Sequence, residues 1–165
     1  MPRRVAIAVI GAGDARPDTL AFAREVGHCI AERGAVLICG GRTGVMQAAA
    51  AGAQAAGGHT IGILPNYDRG SANPHIEFVI ATGMGQARNV IIVASSDAVI
   101  ALPGEGGTLS EIGLALKLGR PVIALGAWRE IDGIRNAATP EAAVTLAFEL
   151  AMRANAHDKN DRTPR

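Results

Sequence analysis

The sequence predicts an α/β fold: one domain built as a doubly wound parallel sheet with helices on both faces. Three observations lead there. Short apolar runs alternate with helix-length segments along the chain. Most of these runs are continuously apolar instead of alternating, as parallel strands covered on both faces require. And 165 residues make one domain long enough to bury a core.

The strands are expected at 5–10, 35–39, 60–64, 78–81, 98–102 and 122–125. Helical patterns fill the gaps at 18–33, 44–57, 85–96 and 108–119, and a last one spans 140–154. Thr139-Pro140 starts that final helix well, with Thr at the cap and Pro at the first helical position. Strand–helix repetition of this kind gives a doubly wound sheet. The folded domain is expected over 1–154. Residues 155–165 have no periodicity and read as a disordered tail. The segment 66–76, "NYDRGSANPHI", is the one long polar loop and suits a lid or a partner contact.

Composition narrows the function. The net charge is +1, and five residues are aromatic (three Phe, one Tyr, one Trp). Basic residues are scattered, so nothing attracts a polyanion and no base-stacking platform stands out. Cys29 and Cys39 lack metal spacing and a CxxC pattern, and read as buried reduced thiols of a cytoplasmic protein. The four histidines share no spacing, so no metal site is expected. No apolar run approaches the ~18 residues that cross a bilayer. Arg3 and Arg4 ahead of an apolar run faintly suggest a leader. That run is short, however, and cleavage would remove the first strand.

Three predicted strands end in glycine clusters: Gly11-Ala12-Gly13, Gly40-Gly41-Arg42-Thr43-Gly44 and Gly104-Glu105-Gly106-Gly107-Thr108. In an open parallel sheet the ligand crevice lies outside the carboxyl ends of the strands. The last two clusters run into helices, whose first N–H groups are unpaired and favour an anion. A phosphate is the natural guest. "GAGDAR" (11–16) lacks the third glycine of a dinucleotide fingerprint and the P-loop Lys is absent, which points away from dinucleotides and from ATP or GTP hydrolysis.

Two side chains carry candidate chemistry. Glu111 sits on an otherwise apolar helix, with only Ser110 and Lys117 as further polar groups over 109–118. One reading makes Thr108-x-x-Glu111 a capping box, worth about 1 kcal/mol. The other puts the carboxylate in a site, with Arg88 as its partner or as a second site residue. Arg88 alone could equally be a surface residue of a helix first turn, Arg42 a solvated loop residue, and Met46 tight helix packing.

The stretches "GGRTGVM" (40–46), "GGHTIGILP" (57–65), "GQARN" (85–89), "SDAVIALPGEGGTLSE" (96–111) and "KLGRPVIAL" (117–125) resemble the Lonely Guy superfamily, long mislabelled as lysine decarboxylases, over nearly the whole chain. The resemblance implies a Rossmann-like fold. Its enzymes are cytokinin-activating phosphoribohydrolases that cut the N-glycosidic bond of adenosine-type 5′-monophosphates. Their signature is Pro-Gly-Gly-x-Gly-Thr-x-x-Glu after an Arg-Lys pair. Arg-Asn and "TLSEIGLALKLGRPV" are more similar to a sister branch that includes carriers of the molybdenum cofactor, a phosphate-bearing pterin.

Carried over, Arg88 and Glu111 match the catalytic pair, Gly104, Gly107 and Thr108 the phosphate loop, and Gly40, Gly41 and Gly44 the second glycine turn. A carboxylate beside the ribose would stabilise an oxocarbenium-like charge and activate water, and an arginine would clamp phosphate. Asn89 replaces the hydrolase Lys and Glu105 its second Gly, which lowers the local charge by two if both face inward. The resemblance implies a carrier-like binding protein for a phosphorylated pterin or nucleotide, with molybdenum cofactor as bound ligand and no required cofactor. The alternative is a nucleoside-5′-monophosphate phosphoribohydrolase. It also implies a homo-oligomer, dimer or tetramer, with helix 85–96 as a candidate contact. No membrane or nucleic-acid partner is expected.

Overall fold

A computed structural model describes residues 3–161. Seven strands form one sheet in the order β4-β3-β2-β1-β5-β6-β7, and every neighbouring pair is parallel. The strands are β1 (Ala6–Ile10), β2 (Val36–Cys39), β3 (Thr60–Leu64), β4 (Phe78–Ala81), β5 (Ala98–Ala101), β6 (Val122–Leu125) and β7 (Arg135–Ala137). The helices are α1 (Pro17–Glu32), α2 (Val45–Ala55), α3 (Asn89–Ala94), α4 (Gly106–Lys117) and α5 (Pro140–Asp161).

The apolar strands are those that pack on both faces: Ile7, Val9, Leu37, Ile100 and Ile123 are fully buried. On one face they meet α1, α2 and α5 through Val26, Ile30, Ala49, Val144 and Ala147. On the other, Ala8, Ile38 and Val99 meet α3 and α4 through Ile92, Val93, Ile112 and Ala115. Small residues set the spacing of α1 against α2. A Cβ at Gly27 would strike the Ala49 carbonyl, and one at Gly52 the Arg24 carbonyl. The two backbones therefore touch, which explains the Ala- and Gly-rich composition.

Several boundaries differ from the sequence expectation: helix 85–96 is a 3₁₀ segment at Gly85–Arg88 followed by α3, and α4 starts two residues early at Gly106. β7 is a seventh strand that periodicity does not mark, because it is three residues long and carries Arg135 and Asn136 exposed at the sheet edge. Helix α5 continues to Asp161, past the expected end at 154, and residues 162–165 of the expected tail lie outside the described residues. Segment 66–76 is tied down: Asn73 Nδ2 donates to the Arg42 carbonyl at 2.8 Å and Ser71 Oγ to Asn66 Oδ1 at 3.1 Å.

The chain runs outward from β1 to β4, then crosses back to place β5 beside β1. That reversal is the topological switch point, where a crevice opens at the strand C-termini. The β1–α1 and β5–α4 loops meet there, joined by Ala12 N–H donating to the Pro103 carbonyl at 3.0 Å.

Candidate functional site

A cleft of about 370 Å³ occupies the switch point. Its floor is the end of β1 with Gly11, Ala12, Gly13 and Asp14, and its walls come from the start of α4 and the approach to α3.

Helix α4 begins at Gly106, with Glu105 in the capping position and extended. Thr108 is therefore the third residue of the helix and Glu111 lies in its second turn, so the capping-box reading of Thr108 and Glu111 is wrong. Leu109 N–H is the first to find a partner, the Glu105 carbonyl at 2.9 Å. The N–H groups of Gly106, Gly107 and Thr108 have no protein acceptor among the described residues. Gly107 and Thr108 line the cleft. Free donors at the positive end of a helix dipole favour an anion.

At the second predicted helix start only Met46 reaches the cleft. Val45 N–H at the head of α2 donates to the Ala12 carbonyl at 2.9 Å, and Gly44 (φ 65°) packs against Ala12 and Gly13. Thr43 Oγ1 donates to the Gly13 carbonyl at 2.8 Å. Gly41, Arg42, Thr43 and Gly44 are absent from the cleft lining. Thr43, Gly44 and Val45 brace the Gly11–Gly13 loop from behind. Gly104 and Gly106 stay outside the lining too; Gly104 packs against the Thr108 side chain and Ala12 N, and Gly106 faces solvent.

Gly40 does line the cleft, for a reason the motif does not show. A Cβ there would fall on the Arg88 guanidinium and 2.6 Å from Met46 Sδ. Glycine at 40 makes room for Arg88. The guanidinium is delivered by a short 3₁₀ segment, Gly85–Arg88, that runs directly into α3, and Gly85 N–H is held by the Pro65 carbonyl at 2.8 Å.

Arg88 is 8% exposed and its Nε has no hydrogen-bond partner. Glu111 is equally buried, yet no Arg88–Glu111 contact within 4.0 Å appears among the described ion pairs. The two still feel each other. Burial pushes the Glu111 carboxyl up to about 7, and Arg88 pulls against that rise. Burial lowers the Arg88 guanidinium, and Glu111 opposes the fall. The ion-pair reading is thus corrected: carboxyl and guanidinium both border the cleft without closing on each other.

Asn89, where the resemblance expects Lys in hydrolases, is buried and lines the cleft. Its Nδ2 donates to Ser110 Oγ at 3.1 Å, and Ser110 Oγ donates to the Gly107 carbonyl at 2.7 Å. This relay pins α3 to the first turn of α4. Glu105 stands exposed at the rim. Sequence reasoning left out Asp14, Gln86 and Met46, which also line the cleft. Asp14 directly follows Gly13, Gln86 lies two residues before Arg88 in GQARN and Met46 ends GGRTGVM, so position in or beside the motifs was the available signal. Three carboxyl groups (Asp14, Glu105, Glu111) and one guanidinium border the space.

Beneath Gly40, Cys39 is fully buried and its thiol is pushed up to about 12 by burial. Neither it nor buried Cys29 is in a disulfide. Among the described residues, no group of three or more His, Cys, Asp or Glu is placed to hold a metal ion, and no helix is long and apolar enough to cross a membrane.

With this geometry in hand, known proteins place the chain. The molybdenum cofactor binding protein of the phototrophic bacterium Rippkaea orientalis superposes with a TM-score of 0.85 at 40% identity, covering 90% of this chain and 98% of that one. The molybdenum cofactor carrier protein of Chlamydomonas reinhardtii gives 0.84 at 34% identity, over 91% and 99%. A cytokinin riboside 5′-monophosphate phosphoribohydrolase of Mycobacterium tuberculosis is 36% identical over 127 residues, 72% of this chain and 68% of that protein. The SLOG cluster4 family model matches residues 4–153, and the chain belongs to this Lonely Guy-like family.

Proposed function

We propose that this protein binds a phosphorylated small molecule, a pterin such as molybdenum cofactor or a nucleotide, as a carrier and without turnover. The observation that carries the reading is the buried Arg88 guanidinium, unpaired by Glu111 and with an orphan Nε, bordering the same cleft as the free N–H groups of Gly107 and Thr108 at the head of α4. A guanidinium buried without a carboxylate partner is costly unless a ligand supplies the anion. Arg88 and the Gly107–Thr108 amides would hold the phosphate. The molybdenum cofactor binding protein from Rippkaea and the carrier from Chlamydomonas, similar over nearly their whole length, support a pterin. Asn89 supports it as well, since its amide is committed to the α4 relay and adds no second cation. Self-association through the exposed Val90 on α3 and Leu109 on α4 belongs to the same reading, and light scattering in solution tests it.

The test is equilibrium titration with molybdenum cofactor released anaerobically from a molybdoenzyme. Saturable binding that disappears in Arg88→Ala is expected; no binding at tens of micromolar overturns the proposal.

One observation favours a second reading, hydrolysis of a nucleoside 5′-monophosphate. A buried carboxyl held near 7 is poised to act as general acid or base at neutral pH. Water would add at the ribose C1′ while the base leaves with a proton, and Glu111 would activate that water. Incubation with AMP followed by chromatography of the free base decides it. Adenine release abolished in Glu111→Gln supports hydrolysis, and its absence at high protein concentration leaves the carrier reading alone.

A further inference from the structure

Trp128 is the one non-glycine residue of the described chain with left-handed backbone, at φ 67°. A bulky residue in that region is strained, and such strain persists only where surrounding contacts hold it. Here the holding contact is specific. The indole Nε1–H donates to the Leu102 carbonyl at 2.8 Å. Leu102 is fully buried just past the end of β5, immediately before the Pro103–Gly107 turn.

Three hydrogen bonds meet at this point. Leu102 N–H donates to the Ile10 carbonyl at 2.9 Å, and Ala12 N–H donates to the Pro103 carbonyl at 3.0 Å. The indole supplies the third. Together they fix the peptide planes on either side of Pro103, and with them the direction in which the chain enters the first turn of α4. Gly126, at the turn leaving β6, seats its backbone against the Pro103 ring, so the segment carrying Trp128 is built onto the same spot.

The indole also packs against the α3–α4 core, so packing and the N–H donor together hold the left-handed backbone at Trp128. Trp128 is absent from the cleft lining, so it does not touch a ligand.

We infer that Trp128 is a positioning residue of the anion site: its indole N–H clamps the Leu102 carbonyl and thereby holds the 103–107 turn and the free amides of α4 in register with the β1 loop. The inference rests on the phosphate-binding reading for its functional consequence, though not for its structural one.

Trp128→Phe removes the donor and keeps an aromatic ring. In the ligand-free protein, exchange of the hydrogen-bonded amides of Ala12, Leu102 and Leu109 is expected to quicken about fivefold, the factor carried by one lost neutral hydrogen bond, while α1 and α2 stay unchanged. AMP affinity is expected to weaken by a similar factor. Unchanged exchange at Ala12, Leu102 and Leu109 in the folded variant overturns the inference. Should the variant not fold, the wild-type protein still decides. Its single Trp gives one indole N–H resonance, expected to be protected from solvent and to shift on saturation with AMP; a rapidly exchanging indole proton overturns the inference. If wild-type protein binds no AMP, the nucleotide form of the phosphate reading falls, while the exchange measurement still settles the clamp.

Discussion

The Arg88 guanidinium lies where a side chain at position 40 would begin, so Gly40 and Arg88 share one space beneath the cleft. Arg88 reaches its buried position from the approach to α3, across the end of β2. Its neighbour Met46 closes the other side. A glycine that reads as part of a phosphate turn is in fact the clearance for the arginine.

Gly40→Ala is therefore expected to displace the guanidinium and weaken phosphate-ligand binding at least as much as Arg88→Lys. Overpacking of a tight site costs about 1–3 kcal/mol. Titration with AMP alongside urea unfolding separates the two effects. Retained affinity in Gly40→Ala would show that Arg88 does not need this seat.

Glu111 sets a pH dependence of stability. The carboxyl moves from 4.5 to about 7 on folding, chiefly through burial. Between those values the folded protein holds a proton that the unfolded chain has released. Stability is therefore greatest below about 4.5 as far as this group is concerned, and falls as pH rises toward 7. The full effect is on the order of 3 kcal/mol. In Glu111→Gln this component is expected to vanish, so urea midpoints of the two proteins should diverge between pH 5 and pH 8. Parallel curves would mean that the carboxyl titrates normally.

Asn89→Lys would place a cation in a cleft bordered by three carboxyl groups and break the hydrogen bond to Ser110. One charge ~10 Å from a phosphate, at an effective dielectric of ~20, is worth about 1.7 kcal/mol. A gain in AMP affinity of roughly tenfold, shrinking with added salt, is expected. Weaker binding would show that the Asn89–Ser110–Gly107 relay matters more to the amides of α4 than the added charge.

Asp97 separates stability from the site. It is buried before β5, at the opposite end of the sheet from the cleft, where Oδ1 accepts from Arg3 Nη2 at 2.7 Å and Oδ2 from Ala6 N at 2.9 Å. Asp97→Ala is expected to cost about 2–3 kcal/mol, as lost hydrogen bonds to a buried charge do, with AMP affinity unchanged. A change in affinity without loss of stability would link the two ends of the sheet.

Some of the site was written in local residue order. The run "ALPGEGGT" had to end a strand and begin a helix at a ligand-bearing rim, and Arg88 and Glu111 follow from the resemblance to Lonely Guy proteins. Which glycines meet the ligand was not legible. Residues 40–44 and 104–108 look alike as strings, yet of the first only Gly40 lines the cleft, and the Ala12 carbonyl takes the Val45 N–H at the head of α2. Asp14 lies outside the stretches that carry the resemblance, Gln86 and Met46 lie inside them with no site role assigned, and only the meeting of three loops places all three in one cavity.

The sequence by itself determined the parallel α/β fold, since strands buried on both faces must be continuously apolar and their helices small-sided. Tertiary structure alone decided the register of Thr108 in α4, the separation of Glu111 from Arg88, and the use of Gly40 as clearance. The physical reason is range. Periodicity and turn chemistry act within a few residues, while clearances, orphan donors and shared burial arise only when the strand order brings residues 12, 40, 88, 105 and 111 together around one space.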